Sequence, residues 1–307
     1  MDLTTDQLLR VAFDIAAAEP SDLPEGLEAR VLARARASTP MRHPAWSDDG
    51  APLGSLDAFI QTAVELADLL DHLGPTDWER TTRVDDVSVR GVIEHLVGVE
   101  RYVLGQLGRR TPLDAPRRAD HWPVTNAAAL DLTNQPNAVV AQRWWSEVLA
   151  VIAACAELGP EQGISYHHLA GSLRGMLVVR TFELWTHGDD IRHGVGLPLS
   201  LLDDARLALM AGELMRVLPL GLELSGCPQP GRTARLNLRG AGGGSFDVTL
   251  AAGETVGPPD ITLTAEVIDL CRLAANRLAR ADFDVTVEGD ESLLEPILVG
   301  AAAFAAD

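Results

Sequence analysis

The stretch Arg180-Thr-Phe-Glu183-Leu-Trp-Thr-His187-Gly-Asp-Asp190-Ile-Arg-His193 decides how the chain is read. Met176, Val179, Glu183, His187 and Ile191 follow one another at helical spacing, on a single face of a helix predicted over Ser172–Gly194. That face carries apolar residues at both ends and a carboxylate and an imidazole in the middle. Burying an unpaired carboxylate costs several kcal/mol, roughly, by transfer measurements. Something must compensate Glu183. Arg180, three residues earlier, is one candidate. A metal is the other, because Glu-x-x-x-His places an oxygen and a nitrogen donor one turn apart, a set that suits Zn²⁺ or another divalent ion.

Working outward, other helical stripes surround this one. Ser55–Leu73, Ser88–Leu107 and Asn137–Leu158 each show apolar residues at helical spacing, and Leu199–Leu218 forms a fifth pattern. Four long amphipathic helices with one long connection, about 108–136, predict a four-helix bundle. In the second helix His95 lies beside Val92, Leu96 and Val99. It is either a core histidine or a third ligand. Three protein ligands leave a coordination position open, the catalytic arrangement. Asp190 is either a second partner for the His187 ring or a helix-surface acid.

From about residue 223 the pattern changes. Glycine and proline cluster at 226–231 and 240–244, and short alternating runs appear at 234–238, 245–250, 260–263 and 284–287. Helices are predicted at 265–278 and 291–305. This is a small α+β domain. The expected division is 1–50, a helical extension ending in a Pro/Gly linker; 51–222, a metal-binding helix bundle; and 223–307, the α+β domain.

Composition limits the function classes. The chain has 307 residues, 44 Asp+Glu against 25 Lys+Arg, and a net charge of −19. Every basic residue is Arg, which excludes lysine Schiff-base and P-loop chemistry. The acidity argues against nucleic acid or an anionic membrane as partner. Three cysteines without CxxC spacing, an acidic N-terminus and a longest strongly apolar run of only about 148–156 lead to the expectation of a cytoplasmic protein without signal peptide or membrane span. Cys155 reads as a core residue and Gly242–Gly244 as a hairpin. His167-His168 reads as exposed. His121, with Arg117 and Arg118, lies in the long connection, either near a pocket mouth or in a solvated loop.

The segment Val89-Arg-Gly-Val-Ile-Glu-His95-Leu resembles the second helix of DinB-like bundles. Glu183-Leu-Trp-Thr-His187-Gly-Asp-Asp190 resembles the fourth-helix motif of the mycothiol-dependent maleylpyruvate isomerase family. The resemblance implies a Zn²⁺ site of His95, Glu183 and His187, with Asp190 behind it. It also implies a sterol-carrier-protein-like C-terminal domain, matched here by Ile261-Thr-Leu-Thr, Ala275-Asn276-Arg277 and Val285-Thr-Val-Glu-Gly289-Asp290. Arg277 matches an arginine that can face the active site; its alternative is a surface residue at a helix end. Asn276 stands where the family pattern has Gly. The resemblance covers about 51–307.

The expected function is therefore a Zn²⁺-dependent enzyme that activates a low-molecular-weight thiol, mycothiol by resemblance. The thiol adds to, or is transferred onto, an electrophilic small molecule, as in maleylpyruvate isomerisation or S-transfer. The alternative is a non-catalytic, metal-bound ligand-binding or regulatory protein that contacts a partner through 1–50.

Overall fold

The computed structural model describes residues 53–84, 87–109, 122–166 and 169–305. The expected extension 1–50, Arg117, Arg118, His121 and the His167-His168 pair lie outside the described residues. The chain divides into two units, at 200/201.

In the first unit the helices are α1 (Ser55–Asp71), α2 (Val89–Gln106), α3 (Trp122–Leu132), α4 (Asn137–Leu158) and α5 (Leu173–Val195). The ends follow local chemistry. The Ser88 and Ser172 hydroxyls accept from the backbone N–H groups of Gly91 and Gly175, capping α2 and α5. Gly196 ends α5 in a left-handed conformation, φ +77°. Ser55 is not a cap; it is the first residue of α1, preceded by Gly54, which makes no side-chain cap.

The four long helices form the expected bundle. α1 packs on α5, α2 on α4, and α1 on α4, while α2 meets α5 less extensively than any of these three pairs. Phe59, Leu96, Trp144, Leu177, Leu184 and Ile191 are buried in one core. Among the described residues α4 is the one helix long and apolar enough, over Asn137–Cys155, to cross a membrane by composition. Its Trp144, Val148, Val151 and Cys155 face that core.

Two elements depart from expectation. The long connection contains α3, which lies on α2 so closely that a Cβ on Gly98 would sit 2.3 Å from the Thr125 Cα. A short antiparallel hairpin, β1 (Gly163–Tyr166) and β2 (Leu169–Ser172), leads directly into α5.

The second unit begins with α6 (Asp204–Leu224), capped by Asp203. The sequence pattern groups this helix with the bundle. It packs instead on α8 (Leu294–Ala301), α7 (Val267–Ala274) and β4 (Gly244–Thr249), moving the boundary from 222/223 to 200/201. Helical periodicity marks an apolar face but not the core it joins. The sheet is completed by β3 (Thr233–Arg239), β5 (Ile261–Glu266) and β6 (Val285–Gly289), in the order β4-β3-β5-β6. β3 runs antiparallel to β4 and parallel to β5, and β5 antiparallel to β6. Ala234, Leu236, Leu238, Ile261, Leu263 and Ala265 are buried on one face; Arg235, Asn237, Arg239, Thr262 and Thr264 alternate onto the other. Gly242–Gly244 lies at the β3–β4 hairpin, as expected.

Candidate metal centre

The site lies between α2 and α5. α5 carries Glu183 and His187 one turn apart on its inward stripe, and α2 brings His95 from a row of buried Val92, Leu96 and Val99. One donor atom from each of His95, Glu183 and His187 falls within 4.8 Å of the other two. The His95 Nε2 lies 3.5 Å from Glu183 Oε1. Two donors on one tetrahedral ion, each about 2.0–2.2 Å from it, stand about 3.4 Å apart. The imidazoles meet edge to face, 5.5 Å between centroids.

Asp190 reaches the far side of the His187 ring: Oδ2 is 3.2 Å from Nδ1. That contact suits an Nδ1–H donor and leaves Nε2 for the cluster. Asp190 is fully buried and His187 nearly so, whereas the His95 and Glu183 side chains are each 22 % exposed. The cluster is thus wet on one side and held from behind on the other.

Arg180 also occupies the role considered for it. Its Nη1 donates to Glu183 Oε2, and its Nη2 donates to Glu100 Oε1 at 2.6 Å. Arg180 and Glu100 are both fully buried. The two carboxylates respond in opposite directions. Burial pushes Glu183 up, but Arg180, His95 and His187 outweigh it and hold the carboxyl well below the usual range. Burial raises Glu100 above its ordinary value despite Arg180, and its Oε2 has no hydrogen-bond partner among the described residues. Arg180 therefore meets the desolvation cost of Glu183, and burial alone does not call for a metal. The reason that remains is the meeting of one donor atom from each of His95, Glu183 and His187 within 4.8 Å, with His95 Nε2 facing the Glu183 oxygen that Arg180 does not hold.

Glu100 escapes sequence reading. It stands beside Arg101 and looks like half of a local pair. Arg101 turns instead to Glu147, Nε to Oε1 at 3.0 Å, and to Asp131. The available signal was a Glu-Arg dipeptide inside an otherwise apolar helix run. His193 is exposed, on another face of α5, as its spacing implied. Cys155 is fully buried, and burial pushes its thiol well up, as suits a core residue.

Arg277 belongs to the second unit. The end of α7 forms a double closure in which Asn276 N–H bonds Leu273 O and Arg277 N–H bonds Arg272 O. Asn276 holds the left-handed position at φ +55°, the one non-glycine residue to do so among the described residues. Asn is the usual substitute for Gly there. The Arg277 Nη1 donates to Ala275 O at 3.1 Å.

Comparison with known proteins bears on the fold of this segment. Residues 59–192 match the family model described as mycothiol maleylpyruvate isomerase N-terminal domain. The crystal structure of the mycothiol-dependent maleylpyruvate isomerase resembles this chain at 12 % identity and TM-score 0.50, covering 76 % of this chain and 91 % of that one. A histidine-to-alanine variant of that enzyme aligns at 11 % identity, with the same coverage and a TM-score of 0.49. At such identity the likeness is one of fold, here the DinB-like bundle with an α+β domain. A comparison with curated proteins finds no match. The segment that resembles mycothiol maleylpyruvate isomerase N-terminal domains, 59–192, is the one that holds His95, Glu183 and His187.

Proposed function

We propose that the chain is a metal-dependent enzyme that uses a low-molecular-weight thiol, mycothiol by family, on an electrophilic small acid. The observation that carries this reading is the convergence of His95, Glu183 and His187 within 4.8 Å, with Asp190 behind the His187 ring. His95, Glu183 and His187 would hold the ion, with Zn²⁺ the first choice for two imidazoles and a carboxylate. When bound, such an ion supplies a positive centre at which a thiol loses its proton at neutral pH.

The chain's own residues do the rest. Asp190 accepts from His187 Nδ1–H and fixes the ring. Arg180 keeps Glu183 ionised. The exposed side of His95 and Glu183 is where thiol and substrate enter. In the isomerase version the thiolate adds to one carbon of a conjugated cis alkene and the electron pair moves into the conjugated carbonyl. The former double bond rotates, the same thiolate leaves, and the trans alkene forms with no net gain of atoms. In the transferase version a leaving group departs instead. Arg277 is proposed to bind a substrate carboxylate, a role its guanidinium fork suits. We place the protein in the cytoplasm, where a reduced thiol persists.

The test combines metal content with turnover. The purified protein is expected to hold about one divalent ion per chain, lost in His187→Ala, and to isomerise maleylpyruvate only when mycothiol is present. Arg277→Ala is expected to raise KM for a carboxylate substrate about 10- to 100-fold, the value of a charge-assisted hydrogen bond, while metal content stays unchanged. A folded protein that takes up no metal would overturn the reading. Bound metal without thiol-dependent turnover, together with a protein captured through 1–50, would favour the non-catalytic alternative.

A further inference from the structure

Arg180 divides the two oxygens of Glu183. Oε2 is engaged by Arg180 Nη1, while Oε1 faces His95 Nε2 at 3.5 Å. The guanidinium is a planar, rigid fork. Here its other prong is fastened to Glu100, with Nη2 to Oε1 at 2.6 Å. Glu100 comes from α2, the helix of His95; Arg180 comes from α5, the helix of Glu183 and His187. The clamp therefore ties together the two helices that carry the three donors, which meet less extensively than α1 with α5 or α2 with α4.

The arrangement matters for donor count. A carboxylate can offer a metal one oxygen or two. With both oxygens free, Glu183 and two imidazoles supply four protein donors, and an outside ligand can enter only as a fifth. With Oε2 held away, they supply three and leave a position for an outside ligand. A buried Glu-Arg-Glu trio is a costly way to gain stability, since apolar residues of like volume often do as well or better. Its placement on the ligand carboxylate suggests a use other than stability.

We propose that Arg180, anchored by Glu100, is a positioning residue that keeps Glu183 a one-oxygen donor, so that the His95–Glu183–His187 site stays open to an exogenous thiol. The proposal rests on the metal-site reading above. Glu100 is part of the device through Arg180 and touches neither metal nor thiol.

The test uses the full chain loaded with Co²⁺ as a spectroscopic probe and 2-mercaptoethanol as the thiol. Wild type is expected to show the intense visible absorption of four-coordinate Co²⁺, and a sulfur-to-cobalt band on titration with the thiol. Arg180→Met combined with Glu100→Gln removes both charges at similar volume and frees Oε2. That variant is expected to bind Co²⁺ with the weaker visible absorption of a five-coordinate ion, and to bind the thiol about 10-fold or more less tightly. Arg180→Lys keeps a buried cation and so preserves the fold, but it lacks the two-pronged geometry; its spectrum and thiol affinity are expected to lie between. If either folded variant gives a wild-type spectrum and wild-type thiol affinity, the proposal is overturned. If wild type itself takes up no Co²⁺, the metal-site reading fails, and that result is distinct from the first.

Discussion

Arg180 and Arg235 make the same kind of bond in opposite surroundings. Arg180 joins Glu183 and Glu100 inside the bundle, where Arg180 and Glu100 are fully buried and Glu183 keeps one exposed side. Arg235, on the polar face of the sheet, meets Asp247 with two parallel contacts at 2.7 and 2.8 Å, both partners exposed. Arg239 and Glu266 form a second exposed pair four residues along the strand, with a single contact of 3.0 Å. The Arg235 pair has the better two-pronged geometry, yet water screens both exposed pairs and their removal strands nothing. The buried trio has one guanidinium for two carboxylates, and losing the cation would leave two acids without their shared compensation. The contrast shows that geometry alone does not rank an ion pair. The surroundings of the partner left behind do.

The comparison can be broken most directly at Arg180. Arg180→Ala is expected to cost about 3–5 kcal/mol of folding stability, the usual loss when one partner of a buried pair is removed, read as a drop in the urea midpoint of metal-free protein. A loss no greater than that of an exposed pair would remove the distinction. Next in size is Asp190→Asn. It keeps the shape of Asp190 but weakens its hold on the His187 ring, and it is expected to reduce metal affinity about 10- to 100-fold, measured by competition with a chromogenic chelator.

The third test uses pH, and the two carboxylates should show opposite signs. The folded pKa of Glu183 lies below its unfolded value, so its contribution is whole at neutral pH. It is lost as pH falls below about 4.5 and through the depressed folded value. The stability difference between wild type and Glu183→Gln, without metal, should shrink over that window. The folded pKa of Glu100 is raised, so its ionisation weakens the fold as pH climbs past about 4.5. Glu100→Gln should therefore keep or improve stability at pH 7, and a large loss there would contradict the assignment. The smallest effect is expected on the sheet. Arg235→Ala and Arg239→Ala should leave the melting temperature unchanged within error in moderate salt.

Much of the bundle was legible because its signals are local. Ser88, Ser172 and the Gly159-Pro160 pair mark helix ends within one turn. The spacing of Glu183 and His187 needs only the pitch of a helix, and His95 needs only its neighbours. The parts that were not legible depend on distance along the chain or on packing. Glu100 finds its partner eighty residues away. α3 hides its short stripe of Val124, Ala128 and Leu132 behind alanines and a Trp-Pro start. α6 shows its apolar face plainly, but which core it enters is settled by α7, α8 and β4, which come later in the chain.

Asn276 bears on how such relationships are recognised at all. Its left-handed backbone, φ +55°, is one that glycine adopts most readily, and the double closure carries the chain on to Arg277. Scored by letters, this position is a mismatch. Scored by torsion angle, Asn276 fits where a glycine would. Letters are thus a coarser record of a turn than its torsion angles, since Asn and Gly can write the same backbone shape.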